Sequence, residues 1–175
     1  MQKLLACVCL CTLSLPAFAE EEKPEANPLL ELKIAIPIHH NHRSLNTSGP
    51  MHVLVKNVSD APLRLWTDKY SWGYRNLSFE LVGDDGSVTK ISKKPREWSK
   101  NFPDWLELKP GDTYVLSVDL LDKTVWENAV AATPGKSPTQ VKLRAVYQIN
   151  PDEQATKNAV WTGKLQTAVD TYAIW

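Results

Sequence analysis

The run Val141, Leu143, Ala145, Tyr147 and Ile149, interleaved with Lys142, Arg144, Val146 and Gln148, sets the strongest limit on what this chain can fold into. Residues that alternate with period two lie on opposite faces of a strand, so this segment offers one apolar face to a core. The same period recurs in short pieces. Leu30, Leu32, Ile34 and Ile36 alternate with Glu31, Lys33 and Ala35, and Met51, Val53 and Val55 alternate with His52, Leu54 and Lys56. Further strands are expected around Leu63 and Leu65, around Leu77, Phe79 and Leu81, and at Val88 and Ile91. Trp105, Leu106 and Leu108 supply another, Tyr114, Leu116, Val118 and Leu120 the next, and a final strand is expected from Lys164 to Trp175. Turn residues separate them: Asn57-Val58-Ser59-Asp60-Ala61-Pro62, the hairpin Gly83-Asp84-Asp85-Gly86, and Lys109-Pro110-Gly111-Asp112. Only Leu121 to Ala132 and Pro151 to Ala159 have room for short helices. Seven or more short strands of this kind imply an all-β antiparallel sandwich or barrel, with at most short helices in loops.

The first residues follow a different logic. A basic start at Lys3, an apolar run from Leu4 to Leu15, and Ala17-Phe18-Ala19 have the order of a signal peptide over residues 1–19. Cleavage is expected between Ala19 and Glu20, giving an exported protein, periplasmic or extracellular. The apolar run is shorter than the roughly 20 residues a membrane-spanning helix needs, and no later stretch qualifies. Leu4-Leu5-Ala6-Cys7 also has the order of a lipidation box, but almost no apolar core precedes it. Residues 20–28 are acidic, contain Pro24 and Pro28, and form an expected flexible leader to a single domain over 29–175. Cys7, Cys9 and Cys11 all fall inside the signal, so the mature domain is expected to carry neither disulfide nor thiol chemistry. Twenty basic residues balance twenty acidic ones, and loss of Lys3 leaves nineteen against twenty. That balance gives no support to nucleic-acid binding.

Two spacings resemble those of known domains. Asn57-x-Ser59-Asp60-x-Pro62 after a strand and Leu106-x-Leu108-x-Pro110-Gly111-Asp112 before one resemble bacterial immunoglobulin-like sandwich domains. The run Val141-x-Leu143-x-Ala145-x-Tyr147 resembles the penultimate strand of such domains, where a tyrosine packs near the corner. Ser71-Trp72-Gly73-Tyr74, Leu77-Ser78-Phe79-Glu80, Lys94-Pro95-Arg96, Asn101-Phe102-Pro103-Asp104 and Trp161-Thr162-Gly163 look like a group of exported bacterial proteins of unassigned activity. That resemblance covers Met51 to Ile174 and implies an immunoglobulin-like antiparallel β-sandwich and export, not a function. The order of the asparagine turn, the Asp-Gly hairpin and the Pro-Gly lead-in is also similar to the intracellular proteinase inhibitor family. This chain departs from it by its export signal and a long aromatic insert, so the resemblance implies an inhibitor-like module only as an alternative.

Sites for chemistry are sparse. His39-His40-Asn41-His42 is the one histidine cluster, and His52 the only histidine beyond it. Such a loop can chelate a transition metal weakly, but a solvated strand end is the stronger reading, and no metal or cofactor site is assigned. Asp84-Asp85-Gly86 lacks the alternating oxygen ligands of a calcium loop. Neither a Gly-x-Ser-x-Gly elbow nor a His-Glu-x-x-His helix occurs, and no catalytic residue is assigned. A carboxylate-pair enzyme acting on cell-wall glycan stands as a third reading. Asn46-Thr47-Ser48, Asn57-Val58-Ser59 and Asn76-Leu77-Ser78 fit the glycosylation pattern, without meaning for a bacterial chain. The terminal Trp175 invites comparison with outer-membrane barrels, but Asn, Pro and Lys interrupt most strands.

The most informative segment runs from Trp66 to Trp105. Trp66, Tyr70, Trp72 and Tyr74 crowd one stretch, and Trp98, Phe102 and Trp105 follow. Between them lie Lys90, Lys93, Lys94, Arg96 and Lys100, opposed only by Glu97. Some of these rings are expected to fill the core. Loops on a rigid scaffold are nonetheless where binding residues concentrate. A subset of Trp66, Tyr70, Trp72, Tyr74 and Trp98, with Lys93, Lys94 and Arg96, is therefore expected to form an exposed surface for an anionic partner, a protein or an acidic glycan.

Overall fold

In the computed structural model, residues 29–36, 38–45, 50–130 and 138–174 are described. The expected signal and leader, Asn46-Thr47-Ser48 and Trp175 lie outside them. Among the described residues the alternating segments become β1 (Leu30–Ala35), β2 (Ile38–His39), β3 (His42–Arg43), β4 (Met51–Asn57) and β5 (Leu63–Trp66). A four-residue helix α1 (Ser71–Tyr74) precedes β6 (Leu77–Val82), β7 (Val88–Lys93), β8 (Trp105–Leu108), β9 (Thr113–Val118) and β10 (Trp126–Glu127). The long β11 (Thr139–Ile149), α2 (Glu153–Lys157), β12 (Gly163–Gln166) and β13 (Asp170–Ile174) complete the order.

The fold is all-β and mostly antiparallel, as its pattern requires. One sheet has the order β1-β4-β9 and the other β10-β7-β6-β11, with β12 and β13 on the far flank of β11. Alternation decides which side chains meet. Leu30, Leu32, Met51, Val53, Val55, Leu116 and Val118 from the first sheet share one core with Leu77, Phe79, Ile91, Leu143, Ala145, Tyr147 and Ile149 from the second. Two short pairs sit at the margins: the β5–β8 ladder, and the hairpin β2–β3. His40 and Asn41 take φ of 45° and 63° between β2 and β3, so the histidine cluster is a two-residue hairpin turn together with the strand ends His39 and His42 that carry it.

The last strand departs from expectation. It is two strands, because Thr167 leaves the ladder between them. Its backbone N–H donates to Ala145 O at 3.0 Å, and its hydroxyl accepts from Ala145 N–H at 3.0 Å. The side chain thus replaces one backbone acceptor, and β12 and β13 pair separate ends of β11. The expected helix after Leu121 is also absent as far as Val130. Asp119 and Asp122 accept from the N–H groups of Leu121 and Thr124 at 2.9 and 2.8 Å, closing local turns that compete with a helix. Pro151 to Ala159 does form one, capped by Asp152 accepting from Ala155 N–H at 2.6 Å.

The two turn motifs of the sequence are halves of one junction. Asn57 is fully buried, and its amide donates to Ala61 O at 2.8 Å and Leu108 O at 2.9 Å. Its side-chain oxygen accepts from Ser59 N–H and the Ser59 hydroxyl at 2.9 and 2.7 Å. Its own backbone N–H donates to Asp112 O, and its carbonyl accepts from Gly111 N–H, both at 2.9 Å. A single side chain therefore ties the end of β4 to the turn after it and to the β8–β9 turn, and it has no spare amide to accept a glycan.

Tyr147 crosses the core at 2% exposure, and neither its hydroxyl nor the buried Asn76 Nδ2 has a hydrogen-bond partner among the described residues. Burial raises the pKa of Tyr147, and of Tyr114 and Tyr172, above the ordinary value of 10. The unfolded chain releases these protons where the folded chain keeps them, so stability is intact below pH 10 and falls as pH climbs through it. We expect Tyr147→Phe to leave stability at neutral pH unchanged or raised by up to about 1 kcal/mol, because it removes an unpaired buried group. It should also flatten the alkaline fall. Urea unfolding near neutrality and above the tyrosine range measures both effects, and a loss of several kcal/mol at neutral pH would contradict the assignment.

Candidate recognition surface

The surface is built by two excursions from the sheet margin. One leaves β5 after Trp66, contains α1, and returns at β6. The other leaves β7 after Lys93 and returns at β8. Because Trp66 and Trp105 stand opposite each other in the β5–β8 register, the two segments depart side by side. Thr67 N–H donates to Asp104 O at 3.0 Å, and the Thr67 hydroxyl to the Asp104 carboxylate at 2.9 Å. Farther out, Asn101 accepts from Ser71 N–H at 3.1 Å and donates to the Ser71 hydroxyl at 2.8 Å. Lys94 N–H donates to Val125 O at 2.8 Å, fixing the root of the second loop. Such cross-bracing limits the ordering cost of binding.

The aromatic residues divide into two groups. Trp66 is 2% exposed and belongs to the core, so it is removed from the expected surface. Trp72 is half-buried, packs against the core and lies 6.2 Å from Trp66. Both serve the fold, because β5 is buried on both faces at its end: Leu65 is as covered as Trp66. The second group is a row. Phe102 meets Tyr70 at 6.0 Å and 86°, Tyr70 meets Trp98 at 6.3 Å, and Trp98 meets Tyr74 at 5.4 Å and 82°. Edge-to-face pairs of this kind contribute about 1 kcal/mol each beyond area burial, so the row stiffens both loops. Phe102, 57% exposed, stands at its outer end, and Trp105 is 38% exposed beside it in sequence. The residues expected from the sequence to form the surface include neither ring. For Phe102 the usable signal is its setting between Asn101 and Pro103, outside any strand alternation; Trp105 opens β8.

The cations divide too. Lys93 is not a surface residue. Its side chain is 12% exposed, lies 3.5 Å from the Asp68 carboxylate, and sits 4.7 Å over the Tyr74 ring and 6.0 Å over that of Trp126. Burial lowers its pKa, and Asp68 opposes that shift. Asp68 in turn accepts from the Tyr114 hydroxyl at 3.0 Å, so Lys93 is an internal strut between β7 and the α1 loop. Arg96 behaves differently: it is exposed, with its guanidinium 4.8 Å over the Trp98 ring. Lys94 is exposed and donates to Lys123 O at 2.7 Å. Of the five arginines, Arg43, Arg64 and Arg144 hold ion pairs with Asp170, Glu107 and Glu80. Arg75 and Arg96 hold none among the described residues, nor do Lys69, Lys94 and Lys100. All five belong to these two loops; Lys56, Lys90, Lys109, Lys123, Lys157 and Lys164, also exposed and without an ion pair among the described residues, lie elsewhere.

No group of three or more His, Cys, Asp or Glu residues among the described residues is arranged to hold a metal ion. Three described cavities lie elsewhere: between β1 and the β12–β13 edge, beside the β6–β7 turn, and over β1, β4 and β9. They contain one carboxylate each, Asp170, Asp84 and Glu31, where glycoside hydrolysis uses two. No described helix is long and apolar enough to cross a membrane. Compared with known proteins, the chain matches no family model and no curated protein.

Proposed function

We propose that the chain is an exported, non-catalytic binding module of the cell envelope, carried on an immunoglobulin-like sandwich, and that it holds an anionic partner on the paired 67–76 and 94–104 loops. One observation carries this reading. On a protein with balanced charge, the two arginines that hold no ion pair among the described residues, Arg75 and Arg96, stand on two cross-braced loops, beside aromatic rings fixed by one another. A fixed cation above an aromatic face costs little further ordering when an oxyanion arrives. Export rests on the order of residues 1–19. The inhibitor-like alternative gains little from the 94–104 loop, which is tied back at Asn101 where an inhibitory loop would protrude.

The test uses the mature protein and the triple variant Lys94→Glu, Arg96→Glu, Lys100→Glu. Titration with polygalacturonate and with poly-glutamate, read by tryptophan fluorescence, should show salt-sensitive binding of at least one polyanion. The variant should lose at least about tenfold in affinity with its melting temperature unchanged. Failure of these two and of a phosphate-bearing polyanion, phosphomannan, to bind, or equal binding by the variant, overturns the proposal.

A further inference from the structure

Resting on that reading, we infer that the partner is an acidic polysaccharide, whose oxyanion is forked by Arg96 while a sugar face stacks on Phe102. The guanidinium carbon of Arg96 lies over the Trp98 indole, 4.8 Å from its centroid, and Arg96 makes no ion pair among the described residues. A planar fork held on a ring leaves its N–H edge free for bidentate bonds to a carboxylate or a phosphate. From that cation the row runs through Trp98 and Tyr70 to Phe102 in steps of 6.3 and 6.0 Å. It starts at an oxyanion receptor and ends at an exposed apolar face. A ligand matching both ends must carry regular anionic groups and flat, weakly apolar C–H faces on one backbone. Acidic sugars joined in a chain do both.

Two other partners fit less well. A stable protein interface buries about 800 Å² on each side around an apolar centre, whereas Phe102 and Trp105 are separated by Pro103 and Asp104. A bilayer surface calls for a continuous apolar face, and here Tyr70, Tyr74 and Trp98 are half-buried against one another. Lys94 and Lys100 add charge beside the fork without its directionality.

The experiment compares five probes on the mature protein by titration calorimetry: polygalacturonate, phosphomannan, neutral dextran, poly-glutamate, and vesicles of phosphatidylglycerol. Carboxylate and phosphate are separated by the first two. We expect one of them to bind at least about tenfold more tightly than poly-glutamate and the vesicles, with dextran unbound. Arg96→Lys keeps the charge and removes the fork, and should weaken that binding about tenfold. Phe102→Ala should weaken it about fivefold, with the melting temperature of each variant within a few degrees of the parent. Equal or tighter binding of poly-glutamate or of vesicles overturns the glycan assignment and leaves the anion-binding reading standing. Full affinity in Arg96→Lys or in Phe102→Ala likewise overturns the assignment alone. If no polyanion binds, both readings fail together.

Discussion

Replacing Asn57 with alanine is expected to lower the stability of the domain by about 3 kcal/mol, one of the largest losses any single polar residue here can cause. The side chain is fully buried and makes four hydrogen bonds, two given and two accepted. Alanine leaves Leu108 O, itself in a buried residue, without that donor, and it frees Ser59 from its turn. Asn57→Asp keeps the acceptor, removes both donated bonds and buries a charge, so it should be at least as damaging. Ser59→Ala loses bonds at a half-exposed site and should cost about 1 kcal/mol. Urea unfolding separates these cases through shifts in midpoint at constant slope. An Asn57→Ala protein as stable as the parent would show that the junction does not hold the two turns together.

Gly73→Ala is expected to cost at least about 3 kcal/mol, although alanine is ordinarily the better helix residue. Gly73 has no positive φ to protect; what it lacks is room. A Cβ would stand 1.9 Å from Thr67 O and 2.5 Å from Thr67 C, both backbone atoms just after β5. Neither can move without disturbing the Thr67–Asp104 bonds that join the two loops. α1 would have to lift away, carrying Trp72 from its contact with Trp66. The variant should therefore melt several degrees lower, show altered tryptophan fluorescence, and bind polyanions weakly. Retained stability would mean that α1 is free to shift, and that the loops are less fixed than their contacts imply.

Much of this architecture is legible in the residues themselves, and the reason is local. The strands β1, β4 and β11 announce themselves because the period of two and the flanking turn residues sit within one short window. The divided last strand does not, because what removes Thr167 from the ladder is its partner Ala145, twenty-two residues earlier. α1 is hidden for the same reason: a four-residue helix is set by how closely Gly73 approaches Thr67, not by helical periodicity. In the candidate surface, composition singles out the forty residues from Trp66 to Trp105 but assigns no depth within them. Trp66 and Trp98 look alike in composition, and only the β5–β8 register and the buried double face of β5 put one inside. Lys93 and Arg96 look alike as well. Asp68 and the rings of Tyr74 and Trp126 draw one inward, while Arg96 lies over Trp98 on an exposed segment.

The divided edge also governs how the domain comes apart. β11 is laced along both flanks, by β6 on one side and by β12 and β13 on the other, so its amides exchange with solvent only when a neighbouring strand leaves. The edge opposite β6 does not open as one piece. β13 is fastened by its own contacts, Arg43 to Asp170 and Leu45 N–H to Ala173 O, while β12 is held by Val146 to Ile149 beyond the Thr167 break. β13 can therefore part from β11 as far as Thr167 while β12 stays paired, which makes that threonine a boundary between two separately held lengths of edge.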